Sequence, residues 1–312
     1  MADIVTLTIN PAIDLSVTVE RVAAFHKLRA ANERRDPGGG GINAARVIKR
    51  LSGDVTAMFP IGGALGQLLR RLMDHEGIPA LTTAIGGETR EDFTVIERTT
   101  GAQYRFVLPG PFLTEHEWRG CLNVFGAVEE GARFVVGSGS LPPGVPDDFY
   151  ARVAQAAKQD DRKIIIDTSG PALKAALATG IYLVKPNLNE FRHLMHEPLD
   201  TEAAQIKACR TLIANRQTEI VALSLGEQGA LLVARDLVLR ANTLPIKPVS
   251  VVGAGDSFLG ALIWSLARGH ALDRAFRYAV AAASAALLMP GTELGQRQDI
   301  ERLASDVEIQ VL

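Results

Sequence analysis

The stretch ARFVVGSGSLPPGVPDDFYARVAQAAKQDDRKIIIDTSGPALKAALATGIYLVKPN, residues 132–187, decides the fold. Its β-rich runs ARFVVGS, KIIIDTS and YLVKPN alternate with the helical patterns FYARVAQAAK and PALKAALA, the rhythm of βαβ units and of a parallel sheet. That rhythm starts at about residue 131 and continues through EIVALSLG, the glycine-punctuated GALLVAR and two Ala-rich helical stretches at 256–268 and 272–289. The main body is expected to be a layered α/β sheet with helices on both faces.

The front of the chain behaves differently. IDLSVTVERV near residue 15 and DFTVIERTTGAQYRFVLPG at 92–110 read as alternating strands, the second turning at a Thr-Gly, and predict a small antiparallel sheet. A helical unit at 41–51 separates these two insertions, which span about 14–34 and 88–110. Brought together, they would form a β-sheet lid over the main sheet within one domain covering 1–312, and such lids exclude water from a site. The lid would have a face or edge to hide, which favours a homodimer in which lids pack together.

Composition fits a globular enzyme: of 312 residues, 47% are hydrophobic and 22% charged, with a net charge of −2. Thirty-three basic residues are scattered among thirty-five acidic ones, so no footprint for nucleic acid stands out. Cys121 and Cys209 are far apart, which argues against a disulfide framework or a zinc site and fits a reducing compartment. MADIVTLTIN reads as a first strand and not a signal peptide, and the longest apolar region, 279–289, is too short for a membrane span, so a cytoplasmic protein is expected. The histidines show no metal-binding spacing.

Several short segments carry candidate chemistry. In VVGAGDSFLGAL, residues 251–262, Gly253 and Gly255 permit a tight turn whose amides point at an anion where a helix begins. Asp256 on that first turn reads equally as a helix cap or as the acceptor of a hydroxyl proton. No GxxxxGK[ST] occurs, and Phe258 spoils a GxGxxG fingerprint. DPGGGGINAARVIKRL, residues 36–51, places four glycines before Asn43, whose amide suits sugar hydroxyls. GSGSLPPG at 137–144 and VKPNLNE at 184–190 follow strands, so they lie where open α/β sheets place ligands. There Lys185, Asn187 and Glu190 would gather, with Glu190 suited to a hydrated Mg²⁺ or, more plainly, to a helix first turn. Lys27, Arg29, Arg90 and Arg105 would together clamp a phosphate, and Asp14 in NPAID would hold two sugar hydroxyls or cap a turn.

Taken in order, NPAID, PGGGGIN, GSGSLPPG, VKPNLNE, SLGEQGALL and VGAGDS resemble the ribokinase-like sugar kinases of the PfkB group, most closely its minor 6-phosphofructokinases. The resemblance covers nearly the whole chain. It implies an α/β/α main body with a β-sheet lid, ATP and Mg²⁺ as donor, and transfer of the γ-phosphoryl to fructose 6-phosphate, giving fructose 1,6-bisphosphate. It implies Asp256 as general base and the amides of Gly253, Ala254 and Gly255 as anion hole. Asp14, Gly39, Asn43 and Ser140 resemble sugar-binding positions, and Lys27, Arg29, Arg90 and Arg105 the phosphate set. Lys185, Asn187, Ser224, Gly226 and Gly229 match the nucleotide side, with adenine near Ala283, and Glu190 matches the metal position.

Tagatose-6-phosphate kinases and 1-phosphofructokinases share most of these segments and stand as the alternative; a non-catalytic sugar-phosphate sensor is a remote one. Those kinases read GGKG or AGKG where this chain has GGGG, so Gly40, with Lys27 and Arg29 in KLRA, points to fructose 6-phosphate. The chain departs from the resembling enzyme at Met289 and Glu293, which leaves open a K⁺ site formed by carbonyls around 250–252 and 286–293.

Overall fold

The computed structural model describes residues 2–126 and 132–312, so the rhythm expected from about 131 is first described at Ala132. The chain opens with β1 (Ile4–Leu7), leaves through β2 (Ala12–Val19) and β3 (Ala31–Gly38), and returns by α1 (Gly40–Arg50), β4 (Val55–Ile61), α2 (Gly63–His75) and β5 (Ala80–Ala84). A second excursion, β6 (Arg90–Glu97) and β7 (Gln103–Phe106), precedes α3 (Glu115–Gly126). There follow β8 (Phe134–Ser138), α4 (Phe149–Gln159), β9 (Lys163–Asp167), α5 (Gly170–Ala178), β10 (Ile181–Val184), α6 (Leu188–Met195), α7 (Glu202–Ala214) and β11 (Thr218–Ser224). The chain closes with β12 (Ala230–Ala234), β13 (Leu237–Ala241), α8 (Ala254–Ala267), α9 (Leu272–Leu287), α10 (Arg297–Asp306) and β14 (Ile309–Val311).

The described residues form a ten-stranded sheet in the order β14-β13-β12-β11-β10-β9-β8-β1-β4-β5. It is parallel from β11 to β5 and antiparallel from β11 to β14. Its central strands are apolar without interruption because both faces are covered: Ile164, Ile165 and Ile166 are all buried. Successive strand residues feed two separate cores. Ile4, Val136 and Ile165 pack with α1, α2, α8, α9 and α10, whereas Val5, Val135, Ile164 and Ile166 pack with α3, α4, α5, α6 and α7. The result is the expected three-layer α/β/α body. One contact fixes the site's floor: α1 lies so close to α8 that a methyl group on Gly260 would stand 2.7 Å from the Ala44 carbonyl oxygen. No helix among the described residues is long and apolar enough to cross a membrane.

The small second sheet has the order β3-β2-β6-β7 and departs from the antiparallel expectation, because its central pair, β2 and β6, is parallel. The cause is topological. β2 follows β1 and β6 follows β5, and since β1 and β5 point the same way in the main sheet, both excursions leave it in one direction; β3 and β7 are the antiparallel returns. The glycine run also divides between elements: Gly38 ends β3, and Gly40 and Gly41 open α1.

The polarity of the small sheet is unusual. Register aligns Asp36, Asp14 and Asp92 across three strands, and next to them Arg34, Ser16, Thr94 and Arg105, all on one face. The opposite face carries Leu15, Phe93 and Phe106 in one row and Val17, Val95 and Tyr104 in the next. The three carboxylates are buried, while Phe93, Tyr104 and Phe106 are exposed.

Candidate active site

The site forms along the C-terminal ends of the parallel strands, where the chain must turn and small polar residues replace the apolar run. Ser138 ends β8 and Asp167 ends β9; they are register partners, and the Ser138 hydroxyl donates to Asp167 Oδ2 at 3.2 Å. Lys185, just beyond β10, is buried and its Nζ lies 3.1 Å from Asp167 Oδ1. Burial pulls this ammonium downward, but the Asp167 carboxylate more than reverses that and holds it above its ordinary value. Gly40 lies against the same group: a methyl there would fall 2.2 Å from Ser138 Oγ and 3.4 Å from Asp256 Oδ1.

The turn into α8 needs glycine, since Gly253 has φ +77°. Beyond it, the first-turn amides have no partner within the helix and face outward, as an anion site requires. Asp256 is half-buried on this turn, and Asn43 Nδ2 donates to its Oδ2 at 2.9 Å. Burial and the Asp167 charge raise the Asp256 carboxyl above the usual range, while Asn43, Lys185 and Arg105 oppose the rise. Asn43 has its other end engaged, because Oδ1 accepts from Arg46 Nη1 at 3.2 Å. One N–H and one lone pair of Asn43 remain unengaged by these two partners.

Of the nucleotide-side residues, Asn187, Ser224 and Gly226 line a cavity of about 690 Å³ together with Glu190, Ser169 and Gly170, whereas Lys185 and Gly229 do not line it. Asn187 and Glu190 cap α6 reciprocally: the Glu190 amide donates to Asn187 Oδ1 at 2.9 Å and the Asn187 amide to Glu190 Oε2 at 2.8 Å. Burial raises the Glu190 carboxyl against these contacts and against Lys185. Among the described residues no group of three or more His, Cys, Asp or Glu could hold a metal alone. Glu190 therefore fits an ion that keeps water and phosphate oxygens as its other ligands, as Mg²⁺ does. Gly229 (φ +92°) lies at the base of β12, where a methyl would fall 2.1 Å from the Ala241 carbonyl oxygen. Ala283 is half-buried on α9 and does not line this cavity.

From the small sheet comes Asp14, buried and paired along the strand, whose carboxylate makes no hydrogen bond among the described residues. Burial lifts its carboxyl to about 6, with Asp92 and Asp256 adding to the rise and Arg105 and Arg46 opposing it. Arg105, exposed on β7, thus acts on both Asp14 and Asp256. Arg90 is placed otherwise than a free phosphate clamp: its Nη1 donates to the Leu108 carbonyl at 2.7 Å and lies 3.2 Å from Asp92 Oδ2, and Nη2 donates to the Asn10 carbonyl at 3.1 Å. Its Nε is buried without a partner. Lys27 and Arg29 are exposed in the connection between β2 and β3 and pair with nothing among the described residues. Ser140 Oγ accepts from Asn10 Nδ2 at 3.2 Å, and Gly39, with φ +112°, caps α1.

Reading the sequence missed Asp167, Arg46, Asn10 and two of the three aspartates aligned in the small sheet, Asp36 and Asp92. Asp167 was detectable as the acid that ends the apolar run KIIID, but the others gain meaning only from pairing between distant segments.

The sequence profile of the pfkB family carbohydrate kinases matches residues 1–299. The chain is 44% identical over 299 residues to the "ATP-dependent 6-phosphofructokinase isozyme 2" of Mycobacterium tuberculosis (96% of this chain, 88% of that protein). It is 40% identical to the protein of the same name from Escherichia coli K12 (97% and 98%). The structure of phosphofructokinase-2 from Escherichia coli with fructose-6-phosphate superposes with a TM-score of 0.92 at 38% identity, covering 98% of this chain and 99% of that one. The same protein with potassium gives 0.94 at 39% identity and the same coverage. A ribokinase from Thermotoga maritima shares the fold alone, with a TM-score of 0.77 at 20% identity over 98% of this chain and 100% of that one.

Proposed function

The chain belongs to the pfkB family of carbohydrate kinases, and from that premise we propose that it transfers the γ-phosphoryl of ATP to fructose 6-phosphate. The observation that carries the reading is Asp256, set by the glycine turn on the first turn of α8 and held there by Asn43.

Lys185 and the amides of Gly253, Ala254 and Gly255 steady the phosphates and the charge that develops as the γ-phosphoryl moves. Asp256 takes the proton of the attacking sugar hydroxyl; the new O–P bond forms at that oxygen, the bond to the β-phosphate oxygen breaks, and ADP departs. Asp14 and Asn43 orient the sugar, and Arg105, with Lys27 and Arg29, recognises its phosphate, while Arg90 braces the small sheet through Asp92 and the Leu108 and Asn10 carbonyls. Asn187, Ser224, Gly226 and Gly229 seat the nucleotide, with adenine toward Ala283. Mg²⁺ beside Glu190 would neutralise phosphate charge when bound.

The small sheet acts as a lid within a single domain, and the apolar rows on its outer face support a homodimer formed lid to lid in the cytoplasm. A K⁺ site beside the anion hole belongs to the same reading. The 249–252 segment is tied to the end of α9, through Val249 N to the Leu287 carbonyl at 2.7 Å and Ser250 Oγ to the Gly291 carbonyl at 3.0 Å, which leaves other backbone oxygens of this seam for a monovalent cation. The Glu293 carboxylate is turned away to Arg34, 2.5 Å distant.

Turnover with ATP and Mg²⁺ against fructose 6-phosphate, tagatose 6-phosphate and fructose 1-phosphate tests the substrate. Fructose 6-phosphate should give the highest kcat/KM, and a lead for another sugar phosphate would replace it. Asp256→Asn should lower kcat by about 10³-fold with ATP affinity nearly unchanged; undiminished kcat would remove Asp256 from its role.

A further inference from the structure

Behind the proposed base lies a cation that reading the sequence passed over. The Arg46 side chain is 1% exposed and sits on α1 one turn beyond Asn43. Besides Asn43 Oδ1, it donates through Nη1 to the Pro37 carbonyl at 3.1 Å and through Nε to Glu76 Oε1 at 2.7 Å, and its Nη2 lies 3.6 Å from Asp36 Oδ1. Asp36 is held in turn by both guanidinium arms of Arg34, at 2.8 and 2.9 Å, and by the Thr292 hydroxyl at 3.1 Å.

We propose that Arg46 is a positioning residue for Asp256: it fixes the Asn43 amide so that its N–H end, and not its carbonyl, faces the base. The inference rests on the reading of Asp256 as base. An asparagine amide can present either end to a neighbour, and only the N–H end favours an ionised carboxylate; the carbonyl end would favour a protonated one. Arg46 offers donors only and stays charged, so Oδ1 alone can face it, and the other end is left for Asp256. The setting gives this orientation a task. Burial and Asp167 push Asp256 toward the protonated form, in which it cannot take a proton from the sugar, while Lys185 and Arg105 act against them and the Asp14 carboxylate faces it from β2. Among these groups Asn43 is the one that makes a direct hydrogen bond to Asp256, and its direction depends on Arg46.

The test is the pH dependence of kcat/KM for fructose 6-phosphate in the wild type, Arg46→Lys, Asn43→Ala, the double variant and Asp256→Asn, with thermal unfolding and ATP affinity measured alongside. Lysine keeps the charge but cannot span Asn43, Pro37 and Glu76 together. In Arg46→Lys the acid limb should move up by about one pH unit, roughly a tenfold loss on that limb, with the alkaline plateau and ATP affinity little changed. Because Arg46 acts through Asn43, the double variant should match Asn43→Ala alone. An unmoved acid limb in Arg46→Lys, or a shift that adds in full to that of Asn43→Ala, overturns the inference. Should Arg46→Lys not fold, Arg46→Gln serves the same comparison, and an upward limb is again expected. Asp256→Asn keeps the two readings apart: full turnover there removes the base itself, whereas an inactive Asp256→Asn with an unmoved Arg46→Lys limb removes only Arg46.

Discussion

Asp14, proposed above to hold the sugar, is buried at a cost to the apo protein. Its carboxyl sits at about 6 in the fold against an ordinary 3.8, so between those values the native state holds a proton that the unfolded chain has released. Stability therefore falls as pH rises through that window. Asp14→Asn removes the burden and should stabilise the apo protein by about 2 to 3 kcal/mol at pH 7.5, with the gain vanishing below pH 4. Urea unfolding at the two pH values checks this, and an equal effect at both would contradict it. The same variant should raise the KM for the sugar phosphate at least about tenfold, since a buried acceptor for hydroxyls is lost. At this scale the candidates Asp14, Asn43, Lys185, Glu190 and Asp256 were legible as residues beside glycines or expected strand ends, and their roles are the ones proposed above. Arg46 was not legible, because α1 is buried through eight successive positions and an arginine there looks like an interruption of the core. Only its three hydrogen-bond acceptors and its ion pair with Asp36, supplied by β3, α1 and the end of α2, explain it.

Among the elements, the contact of α1 with α8 brings the two glycine-rich segments together. A side chain at Gly260 would meet the Ala44 carbonyl at 2.7 Å and Val47 Cβ at 3.0 Å, so Gly260→Ala must push the helices apart. The expected cost is about 1 to 3 kcal/mol, with a fall in kcat as Asn43 draws away from Asp256. Thermal unfolding and steady-state kinetics would show both, and a normal kcat at lowered Tm would separate the packing from the chemistry. The alternation of β and α from β8 onward was plain in the sequence because parallel strands covered on both faces are unbroken apolar runs. The direction of β2 against β6 was not. Alternation reveals a half-buried strand but carries no information about its partner, which is set by where each excursion leaves the main sheet.

For the whole molecule, the proposed homodimer is supported by the amount of exposed surface. The chain exposes 14291 Å², whereas a compact monomer of this mass would expose roughly 12,600 Å². Part of the excess belongs to the small sheet, whose solvent side carries Phe106, 57% exposed, beside Phe93 and Tyr104. Phe106→Asp should turn a dimer into a monomer in sedimentation velocity at micromolar protein and lower activity with it; a wild-type sedimentation coefficient would place the interface elsewhere. Homodimerisation was anticipated from an exposed sheet, but the reversal of its faces, polar toward the site and apolar toward solvent, emerges only from the register of three strands. If the proposed lid-to-lid dimer is what this outward-facing sheet serves, the protein's own concentration becomes a variable of its catalysis. Dilution of such a dimer would expose the apolar rows to water and leave the strands that hold Asp14 and Arg105 without support, so specific activity measured at nanomolar protein should fall below that measured at micromolar protein.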